Sequence, residues 1–342
     1  MDRKYSHIVF DVDGTVKHKP DPEPLLKYME KTGAEGYSGH FRDKIDGIWR
    51  DVMYKIANEE ITIEVDTLGA ELKSLRDHKT GREYMWEGDP RYWKRTSPIL
   101  FPLVGNYKNK ETSYQGNIYK MPQHGCARDM EFELISRTED TIWFGVDSTA
   151  ETLKIYPFSF RLELGYRLEG RTVEVLWRVI NRGHDTMYFS IGGHPAFKCP
   201  LHQMENQTDY YILFDVKDKV ISRRIGEDGL ASDILDTYTL DDGYLPVSAD
   251  LFDHDALVIE NQPVHSVALA DGDMRPYLKM RFDVPLFGIW SPPGKHAPFV
   301  CIEPWYGRCD HAGFEGTLKE REFGNQLEPG EQFEASYYIT LP

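Results

Sequence analysis

The pattern of apolar and polar residues changes its period near residue 52. Before that point apolar residues recur at helical spacing, and after it they alternate with polar residues, as is typical of β-strands. The alternation is clearest between Phe158 and Leu168, where every second residue is apolar. It resumes after a turn at residues 169–171 and runs from Val173 to Val179. These two runs predict a long hairpin with one buried face.

The same alternation appears elsewhere in the second part of the chain. It covers Ile61 to Val65, and it returns from Phe333 to Ile339 after the turn at residues 328–331. Short strands separated by Gly, Pro, Asn and Asp turns fill the interval, and no helix longer than two turns is predicted. We therefore expect residues 53–342 to form one domain, a large all-β antiparallel sandwich.

Residues 1–52 are predicted to form a separate, short α-helical appendage. Residues 7–10 are an apolar run that predicts a strand. Prolines at the start and a glycine at the end predict a helix over residues 22–33. Apolar residues at 41, 45, 48 and 49 have helical spacing and predict a second amphipathic helix from about 40 to 51.

Composition narrows the possible partners and the compartment. The net charge of −16, from 40 Lys and Arg against 56 Asp and Glu, repels nucleic acids and anionic membrane surfaces but leaves neutral sugars unaffected. No run approaches the ~20 apolar residues that a membrane-spanning helix needs. The N-terminus shows no secretion signal, and the four cysteines form no C-x-x-C pair. We expect a soluble, cytoplasmic protein that is a monomer or a homodimer.

Four patches combine a charged or titratable side chain with a strand end or a turn. Arg95 precedes an apolar strand, His124 is followed by glycine, His194 stands between paired glycines and a proline, and Glu303 ends an apolar strand before a proline. Each alone has a structural explanation as a turn residue, a loop cap or an ion-pair partner. Glutamate is rarely buried unless it is paired, so Glu303 lies either at a sheet edge or in a cleft.

Together the four patches resemble the galactose mutarotase-like aldose 1-epimerases, over about residues 53–342. The motif from His124 to Arg128 reads His-Gly-Cys-Ala-Arg, and the motif from His194 to Phe197 reads His-Pro-Ala-Phe. Glu303 stands in Ile-Glu-Pro-Trp, at the position of the family's catalytic glutamate. The resemblance implies a large antiparallel β-sandwich of the supersandwich type, in agreement with the alternating pattern.

The resemblance also implies roles for these residues. Glu303 would be the general base, His194 the general acid, and His124 a second imidazole that orients the sugar and stabilises charge near the ring oxygen. Arg95 would hold a sugar hydroxyl, and Asp255 is a candidate for a further acidic residue that binds hydroxyls. Opening the hemiacetal requires one proton to leave the C1 hydroxyl and another to reach the ring oxygen, which a carboxylate and an imidazolium can accomplish. No cofactor or metal is implied.

Three alternatives for this domain stay open at the level of sequence. The substrate is a free hexose such as glucose or galactose, or else a hexose 6-phosphate whose phosphate lies near Lys94, Arg95 or Arg128. The domain could also bind sugar without catalysis, although a binder has no need to keep an acid–base pair.

The N-terminal segment carries a second resemblance. Asp11 and Asp13, within residues 9–16, resemble the first motif of haloacid-dehalogenase-like phosphatases and phosphomutases, in which the first Asp is the nucleophile, the second is the acid or base, and Mg²⁺ binds between them. Residues 19–22 resemble the lysine motif of that family, but they follow too soon, and a later acidic motif is not found. About 50 residues cannot supply a doubly wound core. We interpret residues 1–52 as a truncated remnant without phosphatase activity; the alternative is an Mg²⁺-dependent phosphotransferase acting through Asp11.

Overall fold

The computed structural model describes residues 42–45, 48–51, 53–202 and 204–342. The strand expected at residues 7–10, the helix expected at 22–33, and Asp11 and Asp13 lie outside the described residues.

The described chain consists mainly of β-strands. The first of these are β1 (Arg42–Ile45), β2 (Ile48–Asp51), β3 (Tyr54–Ala57), β4 (Ile61–Val65), β5 (Leu72–Asp77), β6 (Ile99–Leu100), β7 (Glu111–Tyr114), β8 (Asn117–Lys120), β9 (Glu133–Arg137), β10 (Thr141–Asp147), β11 (Phe160–Glu169), β12 (Thr172–Asn181), β13 (Met187–Phe189) and β14 (Ile191–Gly193). The rest are β15 (Ala196–Lys198), β16 (Tyr211–Phe214), β17 (Lys219–Ile225), β18 (Ala231–Thr239), β19 (Tyr244–Pro246), β20 (Leu257–Glu260), β21 (Ser266–Ala270), β22 (Pro276–Phe282), β23 (Leu286–Trp290), β24 (Phe299–Tyr306), β25 (Asn325–Leu327) and β26 (Gln332–Thr340). Helical turns are short: α1 (Thr152–Ile155) and 3₁₀ turns at Lys108–Lys110, Ala127–Asp129, Gln207–Asp209 and Leu318–Glu320.

Two large antiparallel sheets dominate the described part of the chain. One has nine strands in the order β19-β16-β21-β22-β26-β12-β11-β10-β9. The other has eight, in the order β18-β17-β20-β23-β24-β14-β6, with β15 pairing to β24. A single hydrophobic cluster contains buried residues of both sheets, such as Phe144 and Leu164 of the first and Phe287 and Ile302 of the second. The sheets therefore pack face to face as a sandwich, and the all-β expectation is confirmed.

The predicted hairpin is confirmed as β11 and β12, which pair from Phe160 opposite Asn181 to Glu169 opposite Thr172. The predicted C-terminal strand is β26, which continues the same sheet beyond β12. The predicted strand from Ile61 to Val65 is β4. These segments could be read from sequence because one face of each is buried, which forces apolar residues into every second position.

The helix predicted over residues 40–51 is wrong. Residues 42–45 and 48–51 form the antiparallel strands β1 and β2, in which Ile45 lies opposite Ile48. A two-residue connection places residues three apart in sequence across from each other, so apolar residues at i and i+3 fit a tight hairpin as well as a helix. The dipeptide Asp46-Gly47 between them is a strong hairpin signal that decides the ambiguity.

Two further expectations concern cysteines and membranes. All four cysteines carry free thiols. Among the described residues, no helix is long and apolar enough to cross a membrane.

Candidate functional site

A cleft of about 380 Å³ lies on the eight-stranded sheet. Strands β17, β20, β23 and β24 supply part of its lining, and the rest comes from the segments on either side of β6, after β8 and β14, before β18 and β20, and after β24. Five of the residues singled out from the sequence line it, namely His124, Arg128, His194, Asp255 and Glu303. They are separated by up to 179 positions in the chain, and the fold brings them together.

His194 and Glu303 form a buried pair at the floor of the cleft. His194 Nε2 lies 3.3 Å from Glu303 Oε2, and both side chains are almost fully buried. This contact is not a completed hydrogen bond, and Oε2 has no hydrogen-bond partner among the described residues. The same holds for Nδ1 of His194. Two titratable groups thus lie within proton-transfer reach with capacity left for a ligand.

Neighbouring strands and rings fix His194 in place. Its backbone N–H donates to the Pro98 carbonyl at 3.2 Å. Trp93 stacks on the imidazole with ring centroids 4.7 Å apart, and Trp290 meets it edge-on at 5.3 Å. Both Trp residues also line the cleft. The imidazole therefore has little freedom to rotate away from Glu303.

His124 approaches the pair from the loop after β8. Its ring centroid is 5.6 Å from that of His194, and its Nδ1 accepts a hydrogen bond from the Gly105 N–H at 3.1 Å. When neutral, His124 must therefore carry its proton on Nε2 and act as a donor there. The next residue, Gly125, has φ +76°, and a Cβ on it would lie 2.2 Å from the Phe101 carbonyl oxygen. Only glycine allows the loop to dock this closely, which explains the His-Gly pair in the sequence.

Asp255 supplies a second carboxyl to the cleft. Its Oδ1 accepts a hydrogen bond from the Ala256 N–H at 2.8 Å, and its backbone has φ 68°. Burial raises the pKa of Asp255, while the Ala256 N–H and the Trp290 indole act in the opposite direction. This carboxyl can accept hydrogen bonds from a bound molecule.

Arg95 lies behind the cleft and Arg128 lines it. The guanidinium of Arg95 donates to the Arg128 carbonyl at 3.2 Å and to Asp129 Oδ1 at 2.7 Å. Arg128 donates from Nη2 to the Gln123 carbonyl at 2.7 Å, while its buried Nε has no hydrogen-bond partner among the described residues. Burial, followed by the charge of Arg95, lowers the pKa of Arg128 to about 10. Lys94 is exposed and does not line the cleft.

Burial governs the protonation of the central groups. It lowers the pKa of His194 to about 3, and the cationic side chains of Arg128 and Arg95 add to the effect. Burial, then repulsion from a protonated His194 and from the charges of Arg128 and Arg95, also holds the pKa of His124 well below its usual range. Burial and the neighbouring Asp255 raise the pKa of Glu303 well above its usual range. With protein groups alone, the pair therefore holds its proton on Glu303 and leaves His194 neutral.

Among the described residues, one cluster has the donor set for a metal ion. His194, Cys301 and Glu303 offer nitrogen, sulfur and oxygen atoms that lie within 4.8 Å of one another, and all three residues are buried. Burial raises the pKa values of both the Cys301 thiol and the Glu303 carboxyl, so cation binding would first require two deprotonations in a buried site.

Sequence reasoning did not assign several residues that the fold brings to the cleft. They include Trp93, Trp290, Trp305 and Arg308. The guanidinium of Arg308 is already hydrogen-bonded within the protein, since it donates to Glu260 at 2.6 Å, to the Cys309 carbonyl at 2.9 Å and to Glu322 at 2.5 Å. The available signal for Trp305 was its position two residues after Glu303, on the same face of one strand.

The chain is similar to a known protein family and to two known proteins. The model of the aldose 1-epimerase family matches residues 52–340. The plasmid and chromosomal forms of Protein LacX from Lactococcus lactis subsp. lactis are each 32% identical over 297 residues, covering 84% of this chain and 98% of their own.

Solved structures give the same picture. A galactose mutarotase related enzyme from Lactobacillus acidophilus has a TM-score of 0.80 at 33% identity, covering 85% of this chain and 97% of its own. A galactose mutarotase-like protein from Lactobacillus casei has a TM-score of 0.78 at 29% identity, covering 85% and 100%. The family match spans nearly all of the β-rich part, and the chain therefore belongs to the aldose 1-epimerase family.

Proposed function

We propose that this chain is an aldose 1-epimerase that interconverts the α and β anomers of a free hexose, such as glucose or galactose, by general acid–base ring opening. The observation that carries the proposal is the 3.3 Å approach of His194 Nε2 to Glu303 Oε2 in a cleft of about 380 Å³. That volume is within the range of about 300–1,000 Å³ typical of small-molecule pockets.

The reaction is a balanced pair of proton transfers. Glu303 takes the proton of the C1 hydroxyl while His194 gives a proton to the ring oxygen, so the bond from C1 to the ring oxygen breaks as the C1 aldehyde forms. After rotation about C1–C2, His194 takes back the proton of the C5 hydroxyl and Glu303 returns its own to the oxygen on C1. Each such group typically contributes ~10²–10⁴-fold.

The reactive form requires Glu303 as an anion and His194 as a cation. Burial favours the neutral form of the pair, which holds the same single proton. A sugar hydroxyl that donates to the carboxylate, and a ring oxygen that accepts from the imidazolium, stabilise the charged form. The pair therefore reaches its reactive form by an internal proton transfer over 3.3 Å when a sugar binds.

The surrounding residues orient the sugar in this proposal. His124 donates from Nε2 toward the ring oxygen, Asp255 accepts from a hydroxyl, and Trp93 and Trp290 present aromatic surfaces to apolar sugar faces. Arg95 acts through Arg128, whose carbonyl it holds. We assign no metal or cofactor to the reaction.

One observation favours a hexose 6-phosphate as a second candidate substrate. Arg128 lines the cleft, and its buried Nε has no hydrogen-bond partner among the described residues, with Asp129 Oδ2 3.9 Å away. Burial, followed by the charge of Arg95, lowers the pKa of Arg128. An anionic group would relieve this repulsion between guanidinium groups. If the substrate is a phosphate ester, Arg128→Gln lowers kcat/KM for the ester at least tenfold more than for the free hexose. An equal loss for both substrates would assign Arg128 to a hydroxyl.

Anomeric exchange tests the main proposal directly. Polarimetry of freshly dissolved α-glucose and α-galactose, and NMR exchange spectroscopy of both hexoses and their 6-phosphates, measure the rate with wild type, Glu303→Gln and His194→Asn. We expect acceleration by wild type and a loss of ~10²–10⁴-fold in each variant. The exposed residues Glu151 and His184 provide matched controls, and Glu151→Gln and His184→Asn are expected to keep full activity.

Other outcomes would point to other functions. Sugar binding without acceleration of any aldose would mean a binding protein, and full activity in Glu303→Gln would refute the mechanism. Release of phosphate from sugar phosphates that is lost in Asp11→Asn would mean a phosphotransferase.

We further propose that residues 53–342 are the catalytic domain and residues 1–52 an appendage without phosphatase activity. In this proposal the protein acts in the cytoplasm as a monomer or homodimer, with a sugar as its ligand and no nucleic acid or membrane partner.

A further inference from the structure

Trp305 lies in a slot made by two glycines on the strands that flank its own. A Cβ on Gly192 of β14 would be 2.5 Å from Cδ1 of the indole, and a Cβ on Gly288 of β23 would be 2.5 Å from Cη2. Neither glycine has a positive φ, so close packing of the indole, not backbone conformation, excludes a side chain at both positions. The indole therefore spans β24 from one neighbouring strand to the other and has no room to turn.

The slot places the indole beside the proposed base. Gly288 is the residue paired with Glu303 in the register of β23 and β24, and Gly192 is the residue paired with Trp305 in the register of β14 and β24. Nε1 belongs to the edge of the indole between the atoms that touch the two glycines. Trp305 lines the same cleft as Glu303.

Two buried polar atoms at this point lack partners. Nε1 of Trp305 and Oε2 of Glu303 have no completed hydrogen bond among the described residues. A buried N–H without an acceptor is destabilising because it has lost its hydrogen bond to water. Because this donor and this acceptor line the same cleft, we expect a hydrogen bond between them to form when the His194–Glu303 pair changes its protonation state.

We propose that Trp305 is a positioning residue for Glu303, whose indole N–H donates a hydrogen bond to Oε2 when the carboxyl is ionised. The glycine slot fixes the indole, and the indole in turn fixes the carboxylate, which leaves Oε1 to meet the C1 hydroxyl of the sugar. This role rests on the proposed function of Glu303 as the base.

The charges around Glu303 explain why such a donor is needed. Asp255 is an acidic neighbour, and burial together with Asp255 raises the pKa of Glu303. His194 is the cationic partner only after it accepts the proton. The Trp305 indole opposes the rise in pKa as a donor toward the carboxyl. It is a neutral group, so it stabilises the anion without adding a buried charge.

The first test is Trp305→Phe, which keeps a ring in the slot and removes the N–H. The titration of Glu303 is followed by ¹³C NMR of protein labelled at glutamate carboxyls, with its resonance identified by its loss in Glu303→Gln. We expect the pKa of Glu303 to rise by about one unit or more. The basic limb of the kcat/KM profile, on which the pair loses its single proton from Glu303, shifts in the same direction. An unchanged titration in folded Trp305→Phe would overturn the proposal.

Trp143 provides a matched control in the other sheet. It packs on its register partner Gly165 in the same manner, since a Cβ there would be 2.6 Å from Cε2 of the indole. Trp143→Phe therefore removes a glycine-packed indole outside the cleft and leaves both the titration and the profile unchanged. A shift of equal size in Trp143→Phe would mean that the effect is a general consequence of losing an indole.

A second measurement needs no change at Trp305. In ¹⁵N-labelled wild type, one indole N–H resonance moves downfield as Glu303 ionises, and this movement is absent in Glu303→Gln. If every indole resonance responds to pH alike in the two proteins, the contact does not form. The NMR results decide the contact even if wild type fails to accelerate anomerisation, so this proposal and the proposed function fail separately.

Discussion

The burial of a neutral His194 predicts a specific loss of stability in acid. Burial lowers the pKa of His194 from 6.5 to about 3 in the folded protein. A histidine whose pKa is lower in the folded protein than in the unfolded chain contributes stability that is complete above pH 6.5 and is lost as the pH falls toward 3. The reason is that, in this pH range, the unfolded chain binds a proton at this histidine and the folded chain does not. The loss is about 1.4 kcal/mol per pH unit once the unfolded histidine is charged.

The perturbation that isolates this contribution is His194→Gln. Summed between pH 7.5 and pH 4, the two pKa values of His194 give a loss of about 3 kcal/mol in wild type that the variant does not share. His124 and Glu303 remain in both proteins, so their titrations cancel to first order. Whatever His194→Gln costs at pH 7.5, the gap between the two proteins narrows as the pH is lowered.

Urea unfolding at several pH values measures the effect, with the free energy of unfolding extrapolated to water. Phe197→Leu is a matched control. Phe197 lies three residues after His194, is fully buried and does not titrate, so this substitution lowers the free energy of unfolding by the same amount at each pH. Parallel curves for wild type and His194→Gln would refute the reasoning. His194 would then be charged or solvated in the folded protein, and the buried acid–base pair would not exist as described.

Three further changes test how loops and strands support the cleft. Gly125→Ala places a Cβ 2.2 Å from the Phe101 carbonyl oxygen, so we expect a loss of at least ~1–3 kcal/mol in urea unfolding, whereas Gly81→Ala, with open space around it at a similar φ, costs less. Glu71→Ala removes the acceptor of the Thr96 and Ser97 N–H groups at 2.5 and 2.8 Å, and we expect the free energy of unfolding to fall by ~1.5–3 kcal/mol in the same assay. An unchanged free energy would show that these hydrogen bonds do not stabilise the loop. Burial alone would raise the pKa of Asp77, but Arg171 at 3.0 Å and backbone and hydroxyl donors outweigh it and lower the pKa to about 2. Asp77→Asn therefore loses stability at pH 7, and its difference from wild type shrinks as the pH falls from 3.8 toward 2; a constant difference would contradict this account.

The strands could be predicted wherever burial is one-sided. In β11, apolar Phe160, Leu162 and Leu164 are buried while Arg161 and Glu163 are partly exposed, so the sequence repeats with the period of the structure. The helix prediction for residues 40–51 failed because the spacing of the apolar residues fits both a helix and a tight hairpin. The order of strands in the sheets has no local signal, since it depends on pairings such as β12 with β26 across more than 150 residues.

The residues of the site also differ in how far the sequence predicts them. His124, His194 and Glu303 stand in short motifs with glycine or proline neighbours, and these motifs are visible in the sequence alone. The role of Trp305 could not, because it depends on Gly192 and Gly288, which are more than 90 positions apart and meet only when β14 and β23 flank β24. Arg95 stands beside a strand start as expected, yet the fold turns it toward Asp129 and leaves Arg128 at the cleft.

The cleft is lined both by strands of the sheet and by loops with left-handed backbone, and we relate this difference to the roles proposed for their side chains. Glu303 and Trp305 belong to β24, in the interior of the eight-stranded sheet, where a register slip of one residue would move both side chains to the opposite face. His124 and Asp255 lie on loops with φ of 65° and 68°, a left-handed conformation that costs a residue with a side chain some strain. In the proposed mechanism, proton transfer over 3.3 Å tolerates little displacement. The proposed base lies on a strand inside the sheet, and the proposed acid follows directly after β14. Both side chains line the cleft, which supports the proposal that His124 and Asp255 orient the substrate.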